Sequence, residues 1–236
     1  MPPHHRRLHP RRRLPAMLCA IALAVAPLWV RPAAAGPPDA AATTAALTEA
    51  IGQYGRGEVD AARRSFEALA ARGLLAADYN LAVMHLAGDL PGGAEAALPH
   101  LQRAAEGGFV TALFGLGQVY EQGRLGRSDP TTAHRWYLRA AEAGSVDAQV
   151  AVATAHYLGR GAAKDMVQAA HWYREAAKGG DIGAQYLLAS MYEAGDGLAR
   201  DLRLARYWYD VAAKNGDEAA PDKVREIDAR LRDAPG

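Results

Sequence analysis

A period of 36 residues runs through residues 110–217 and constrains the fold more than any other feature of the sequence. A Trp-Tyr pair recurs at this interval, as Trp136-Tyr137, Trp172-Tyr173 and Trp208-Tyr209. Five further columns keep the same register, which chance does not produce. These columns are Ala112, Ala148 and Ala184; Gly123, Gly159 and Gly195; Asp129, Asp165 and Asp201; Ala141, Ala177 and Ala213; and Gly144, Gly180 and Gly216. A repeat of this length predicts stacked supersecondary units that share one continuous core.

The period divides most of the chain into segments. A degenerate repeat precedes the three full ones and has His100-Leu101 in place of the Trp-Tyr pair. In chain order, we expect a signal peptide at 1–35, a leader at 36–39, a divergent helix pair at 40–74, the degenerate repeat at 75–109, full repeats at 110–145, 146–181 and 182–217, and a C-terminal capping helix with its tail at 218–236.

Each full repeat predicts two antiparallel helices, as residues 182–217 illustrate. Gly195 follows the first apolar-periodic segment and ends that helix. Asp201 then precedes the second helix, where its carboxylate can accept bonds from the first free N–H groups. The second helix presents one apolar stripe of Ala205, Trp208, Tyr209, Ala212 and Ala213. The tryptophan of each pair is expected to be core and to fill the gap between repeats.

A single helix pair of this kind buries too little apolar surface to be stable alone, so neighbouring pairs must stack. The fold class is therefore all-α, and the stack needs a cover at its end. We expect a C-terminal helix over about 221–233 to provide it, with one apolar and one hydrated face. The covering residues are Val224, Ile227 and Leu231, and the residues expected to face water are Arg225, Glu226, Arg230 and Arg232.

The first 35 residues have the order of a secretory signal. A basic stretch through Arg13 leads into an apolar run over 16–30 and then to Ala33-x-Ala35, a small-residue cleavage site before Gly36. As a helix, 15 apolar residues reach about 22 Å, short of the roughly 30 Å hydrocarbon core of a bilayer. We therefore expect a periplasmic or secreted protein that begins at Gly36 and has no stable membrane span after cleavage.

Composition excludes several classes of protein. With 50% hydrophobic and 22% charged residues, the chain is typical of a globular protein. The one cysteine, Cys19, lies in the signal, so neither a disulfide framework nor a thiolate metal site is expected. Residues 1–35 hold six of the 27 basic residues and no acidic one, which leaves 21 against 26 and a net charge of −5. This mildly acidic body argues against a nucleic-acid surface.

The repeat resembles the Sel1-like repeat, a relative of the tetratricopeptide repeat. The first helix carries Ala-x3-Leu-Gly-x2-Tyr-x2-Gly, and the second carries Asp-x3-Ala-x2-Trp-Tyr-x2-Ala-Ala-x2-Gly. In 110–145 the motif residues are Ala112, Leu116, Gly117, Tyr120, Gly123, Asp129, Ala133, Trp136, Tyr137, Ala140, Ala141 and Gly144. The next repeats depart from it at His156, which replaces the tyrosine, and at Ala153 and Ala189, which replace the glycine.

This resemblance implies a right-handed superhelical solenoid of antiparallel helix pairs that acts as a scaffold in protein–protein interaction. Exported bacterial members of the family are associated with envelope signalling, exopolysaccharide regulation or host contact. A cysteine-rich subgroup is associated with β-lactam binding, and this chain departs from that subgroup because it lacks the cysteines.

No motif predicts catalysis, a metal or a cofactor. The sequence contains no Ser-x-x-Lys, no Gly-x-Ser-x-Gly and no His-Glu-x-x-His. His85, His100, His134, His156 and His171 are not spaced as two ligands on one helical face. Glu121 and Glu193 occupy equivalent positions two repeats apart, hence on the order of 20 Å from each other. Paired glycosidase carboxylates need about 5–10 Å. An envelope hydrolase is therefore the weakest hypothesis.

The candidate binding surface is the concave face, lined in tetratricopeptide repeats by the first helix of each pair. Alignment on the Leu-Gly-x2-Tyr segment gives three columns along this face: Tyr79, Phe114, Val150 and Tyr186; Gln118, Thr154 and Ser190; and Glu121, Tyr157 and Glu193. Aromatic anchors beside short polar groups suit a protein or peptide partner. The alternative ligand is a cell-wall glycan or other polysaccharide in the same groove. Tyr79, Phe114 and Tyr186 could instead pack on adjacent first helices, and the sequence leaves both interpretations open.

Overall fold

A computed structural model describes residues 40–233, which form eleven α-helices and no strand. The predicted signal peptide, the leader at 36–39 and residues 234–236 of the tail lie outside the described residues. In chain order the helices are α1 (Ala40–Gly55), α2 (Val59–Ala71), α3 (Leu75–Ala87), α4 (Gly93–Glu106), α5 (Val110–Glu121), α6 (Pro130–Glu142), α7 (Val146–Leu158), α8 (Met166–Lys178), α9 (Ile182–Ala194), α10 (Leu202–Lys214) and α11 (Ala220–Arg232).

Short polar residues precede the helices of the full repeats, except α5, which follows Phe109. Asp129 Oδ1 accepts from the Thr132 N–H at 3.0 Å before α6. Asp165 and Asp201 each accept two N–H bonds of 2.9 and 3.0 Å before α8 and α10. α9 ends at Gly195, whose φ of 83° is a left-handed conformation that favours glycine. The predicted start and stop signals therefore act as expected.

From α2 onward, each helix packs mainly on its neighbours in sequence, as expected of a stacked solenoid. Alanines let the helices approach closely, because they add no side chain beyond Cβ. Those with no exposed surface include Ala112, Ala148 and Ala184 in the first helices and Ala140, Ala176 and Ala212 in the second. The core is thus a continuous layer between successive helices.

The expectation that the tryptophan of each Trp-Tyr pair is core was wrong in detail. Tyr137, Tyr173 and Tyr209 are 5%, 2% and 0% exposed, whereas the tryptophans are only partly buried. The tyrosine lies on the side of the second helix that faces the first helix of its own repeat. The tryptophan precedes it by one residue and therefore lies on a neighbouring side of the second helix. Trp172 packs against two successive core clusters, one of residues 82–152 and one of residues 153–191, so this tryptophan does fill a gap between repeats.

The capping helix α11 covers the last repeat, with Ile227 fully buried and Val224 and Leu231 packed beside it. One residue expected to face water does so only in part, since its side chain is 33% exposed. Arg230 turns inward and its Nη1 lies 2.5 Å from Glu193 Oε1. Within residues 40–233 no helix combines the length and apolar character needed to cross a bilayer.

Candidate functional site

The buried tyrosine of repeat 110–145 holds two of the predicted surface residues. Tyr137 Oη donates a hydrogen bond of 2.8 Å to Glu121 Oε2. Its ring centre lies 5.2 Å from that of Phe114. Gly117 faces the Tyr137 ring, and a Cβ at this position would collide with it. One side chain of α6 therefore fixes both the aromatic and the acidic member of the first-helix columns in this repeat.

Repeat 182–217 has the same arrangement. Tyr209 Oη donates to Glu193 Oε2 at 3.0 Å, and its ring meets Tyr186 edge to face with centres 5.0 Å apart. Ser190 lies beside the same hydroxyl. Burial, together with the bond to Glu193, raises the pKa of Tyr209 above its usual range, so the hydroxyl stays a donor. All three predicted residues of this repeat converge on Tyr209.

Repeat 146–181 is a variant of this arrangement. Tyr173 Oη shares a hydrogen bond of 3.0 Å with Thr154 Oγ1, and the Tyr157 ring lies 6.4 Å away. Tyr157 occupies the column of Glu121 and Glu193, so this repeat presents an aromatic ring where its neighbours present a carboxylate. The Tyr157 side chain is 37% exposed.

Tyr79 is not brought to such a tyrosine, because Leu101 takes its place in the degenerate repeat. Tyr79 instead packs on Phe109, with ring centres 5.4 Å apart. The same repeat contains a buried carboxylate that the sequence analysis missed. Asp78 lies 2.8 Å from His100 Nδ1 and accepts from Arg103 Nη2 at 2.7 Å. A polar residue in an otherwise apolar helix stripe was its sequence signal.

The first-helix columns therefore form a stripe that is half-buried rather than free. We call the stripe of Tyr79, Phe114, Gln118, Glu121, Val150, Thr154, Tyr157, Tyr186, Ser190 and Glu193 the first-helix face. Phe114 and Tyr186 pack on the second helix of their own repeats. Gln118 and Tyr157 are its exposed members.

A cleft of about 200 Å³ lies between repeats 110–145 and 146–181, and Glu121 and Thr154 of the first-helix face line part of it. Its polar lining is Glu121, His134, Tyr137, Thr154 and Arg160, and its apolar lining is Pro130, Ala133, Ala151, Ala155 and Leu158. Leu158 is 62% exposed at its edge. Two of the predicted columns thus meet in one concave site.

His134, which lines the cleft, contacts a second histidine from the next helix. The rings of His134 and His156 are edge to face with centres 5.1 Å apart, and His134 Nδ1 is buried without a hydrogen-bond partner. Burial, and the neighbouring His156, lower the pKa of His134, which favours its neutral form. Spacing along one helix could not reveal this pair, because the contact crosses from α6 to α7.

Comparison with protein families gives one match. The family model described as "Sel1 repeat" matches residues 75–109, 110–145, 146–181 and 182–217. A search of curated proteins finds no match for the chain.

The solved structures that resemble the fold include two with more than 25% sequence identity. A Sel1 repeat protein from Oxalobacter formigenes is 28% identical with a TM-score of 0.72, and the match covers 80% of this chain and 78% of that one. A protective antigen of uropathogenic Escherichia coli strains, which displays an SLR fold, is 27% identical with a TM-score of 0.71 over 78% of this chain. The match covers 41% of the antigen, so this chain spans less than half of its length.

Proposed function

This chain belongs to the Sel1 repeat family, and from that premise we propose that it is a non-enzymatic adaptor that binds another protein through the first-helix face. Sel1 repeat proteins generally act as scaffolds for protein interaction. The observation that carries the proposal is the repeated fixing of aromatic and polar side chains of this face by the buried tyrosines. Groups held in one geometry lose little entropy on binding, which favours a specific partner.

The chemistry of the face supports an adaptor rather than an enzyme. Its carboxylates, Glu121 and Glu193, each accept a bond from a buried tyrosine in a separate repeat. An acid–base pair would need two carboxylates close together over one substrate. The face offers instead a row of anchors at the spacing of the repeats, which suits an extended or helical segment of a partner.

We propose that the adaptor works outside the cytoplasm, in envelope signalling or exopolysaccharide regulation. The basic, apolar and small-residue order of residues 1–35 supports export. N-terminal sequencing of the exported protein should begin at Gly36. A chain that still begins at Met1 after export would overturn this part of the proposal.

Affinity capture from envelope extract tests the binding face. The bait is compared with a variant that carries Gln118→Ala and Tyr157→Ala, two exposed positions whose truncation leaves the core intact. A matched control carries Gln168→Ala and Tyr207→Ala, which change the same residue types at exposed positions of second helices. We expect one protein to be recovered by the parent and the control and lost by the first variant.

The same experiment separates the alternatives. Glycan without protein in the captured material would favour the polysaccharide-binding alternative, because stacked aromatic rings also suit sugars. Equal recovery of the partner by both variants would contradict the assignment of the binding surface to the first-helix face.

A further inference from the structure

Two carboxylates of the first-helix face have the same local geometry but different counter-ions. Glu193 accepts from Tyr209, and it also pairs with Arg230 at 2.5 Å and Lys223 at 3.3 Å. Glu121 accepts from Tyr137 in the same way. Within residues 40–233, however, Glu121 has no ion pair with any basic side chain. Basic side chains of the described residues neutralise Glu193, and none of those residues neutralises Glu121.

The difference arises from the helix that follows each site. α11 packs on α10 as α7 packs on α6, so residues of α11 correspond to those of α7 that lie 72 positions earlier. Lys223 and Arg230 thus correspond to Ala151 and Leu158. Both of these line the cleft beside Glu121. The cleft beside Glu121 therefore corresponds in position to the place in the last repeat where cationic side chains pair with Glu193.

The cleft has the dimensions and a carboxylate for such a group. Its volume of about 200 Å³ is large enough for the end of one long side chain. Glu121 supplies the negative charge, and the neutral His134 adds no opposing one. The apolar wall of Ala151, Ala155 and Leu158 can cover the methylene stem of a basic side chain.

We propose that this cleft binds the guanidinium or ammonium group of an arginine or lysine side chain supplied by the partner protein, with Glu121 as its counter-ion. That the side chain comes from a partner protein rests on the proposed function. The binding of a cation in the cleft does not depend on that function. In this arrangement α11 shows within the chain how a cation engages the Tyr-Glu pair. Arg160, at the cleft lining, opposes an incoming cation and weakens its binding.

A small probe tests the cleft without the partner. We would titrate the purified protein with N-acetyl-argininamide and follow NMR shifts of residues around the cleft. For a ligand of this size we expect saturation with a Kd of about 1 mM. N-acetyl-citrullinamide has nearly the same shape without the charge, and it should bind at least about tenfold more weakly because the charge-assisted bond is lost.

Matched variants assign the binding to Glu121. Glu121→Gln keeps an acceptor for Tyr137 but removes the charge, so it should abolish the preference for arginine over citrulline. Glu142→Gln removes an exposed carboxylate of the same repeat and should leave that preference unchanged. Leu158→Arg rebuilds the equivalent of Arg230 and should block the probe, whereas Arg160→Ala should tighten its binding.

The outcomes distinguish this proposal from the proposed function. Equal binding of both probes, or no saturable shift in the parent protein up to about ten times the expected Kd, would overturn the cation site. A preference for arginine that survives Glu121→Gln would also overturn it. Probe binding that requires Glu121, combined with no protein partner in the capture experiment, would uphold the cleft and overturn the adaptor.

Discussion

Tyr137, Tyr173 and Tyr209 each connect the two helices of a repeat through a buried ring and a bonded hydroxyl. The ring contributes apolar burial, and the hydroxyl finds a side-chain partner on the first helix at 2.8–3.0 Å. A buried hydroxyl without a partner would be costly, so Glu121, Thr154 and Glu193 complete the core as well as the surface. The same residues therefore serve stability and the candidate binding face.

The contribution of the buried tyrosine can be measured on α10. Tyr209→Ala should cost roughly 3–5 kcal/mol of unfolding free energy, because it removes a fully buried aromatic ring and leaves a cavity. Tyr207→Ala on the same helix should change it by about 0.5 kcal/mol or less, because that ring is 55% exposed. Urea denaturation of the two variants gives the comparison, and equal losses would contradict the assignment of Tyr209 to the core.

A dependence of stability on pH follows from His134. Burial, and then His156, lower its pKa in the folded state below the ordinary value of 6.5. The unfolded chain therefore binds a proton first as the pH falls. The stability associated with neutral His134 is present above about pH 6.5 and is lost as the pH falls through the lower folded-state pKa.

Unfolding in urea at pH 8 and pH 5 tests this prediction. Between pH 8 and pH 5, the free energy of unfolding should fall less in His134→Gln than in the parent. His171→Gln removes an exposed histidine, and its free energy of unfolding should change with pH as that of the parent does. An unchanged pH dependence in His134→Gln would show that this histidine does not titrate abnormally.

At the scale of helices, the aspartates that begin helices and the glycines that end them could be recognised in the sequence. Asp129, Asp165 and Asp201 stand at fixed positions because each satisfies N–H groups that have no partner inside their own helix. Such signals act over two or three residues, so they can be recognised without knowledge of the fold. The segments between them have the helical period, and this made the architecture predictable.

Contacts between residues far apart in the sequence could not be predicted in the same way. Arg230 carries a charge on a surface helix, and only the presence of Glu193, 37 residues earlier, explains why it turns inward. The order of burial within Trp-Tyr pairs depends on a rotation of about 100° between successive helix positions, and both residues fit an apolar stripe. The pairing of His134 with His156 depends on how two repeats stack.

Loss of a cap has a defined cost. Asp201→Ala should lower the unfolding free energy by about 1 kcal/mol, because two N–H groups of α10 lose their acceptor. Asp201→Asn keeps an acceptor and should cost much less. Asp196→Ala, an exposed aspartate in the preceding turn, serves as the control in thermal or urea denaturation. A loss at Asp196 as large as that at Asp201 would contradict the capping role.

The described chain as a whole is a series of local cores joined by shared side chains. Trp172 packs against two successive core clusters, and Trp208 packs against the second of these and the one that follows it. In such a quasi-one-dimensional protein, cooperative unfolding depends on the interfaces between neighbouring repeats. α11 closes the series by covering the apolar face of α10.

Weakening one interface should reduce cooperativity. Trp172→Ala removes a ring shared by two clusters, so the urea m-value should fall or a second transition should appear. Trp136→Ala removes a partly buried ring associated with one cluster, and it should lower the midpoint with less effect on the slope. The same m-value in both variants and the parent would show that Trp172 does not couple the repeats.

Site-specific photo-crosslinking in cells tests the adaptor directly. A photoreactive amino acid is placed at Gln118 on the first-helix face or at Gln168, an exposed glutamine of α8. If the protein is an adaptor that uses the first-helix face, a discrete protein adduct forms from position 118 and is absent from position 168. Adducts from position 168 alone, or the absence of any adduct from position 118 under conditions in which the captured partner is present, would contradict this account.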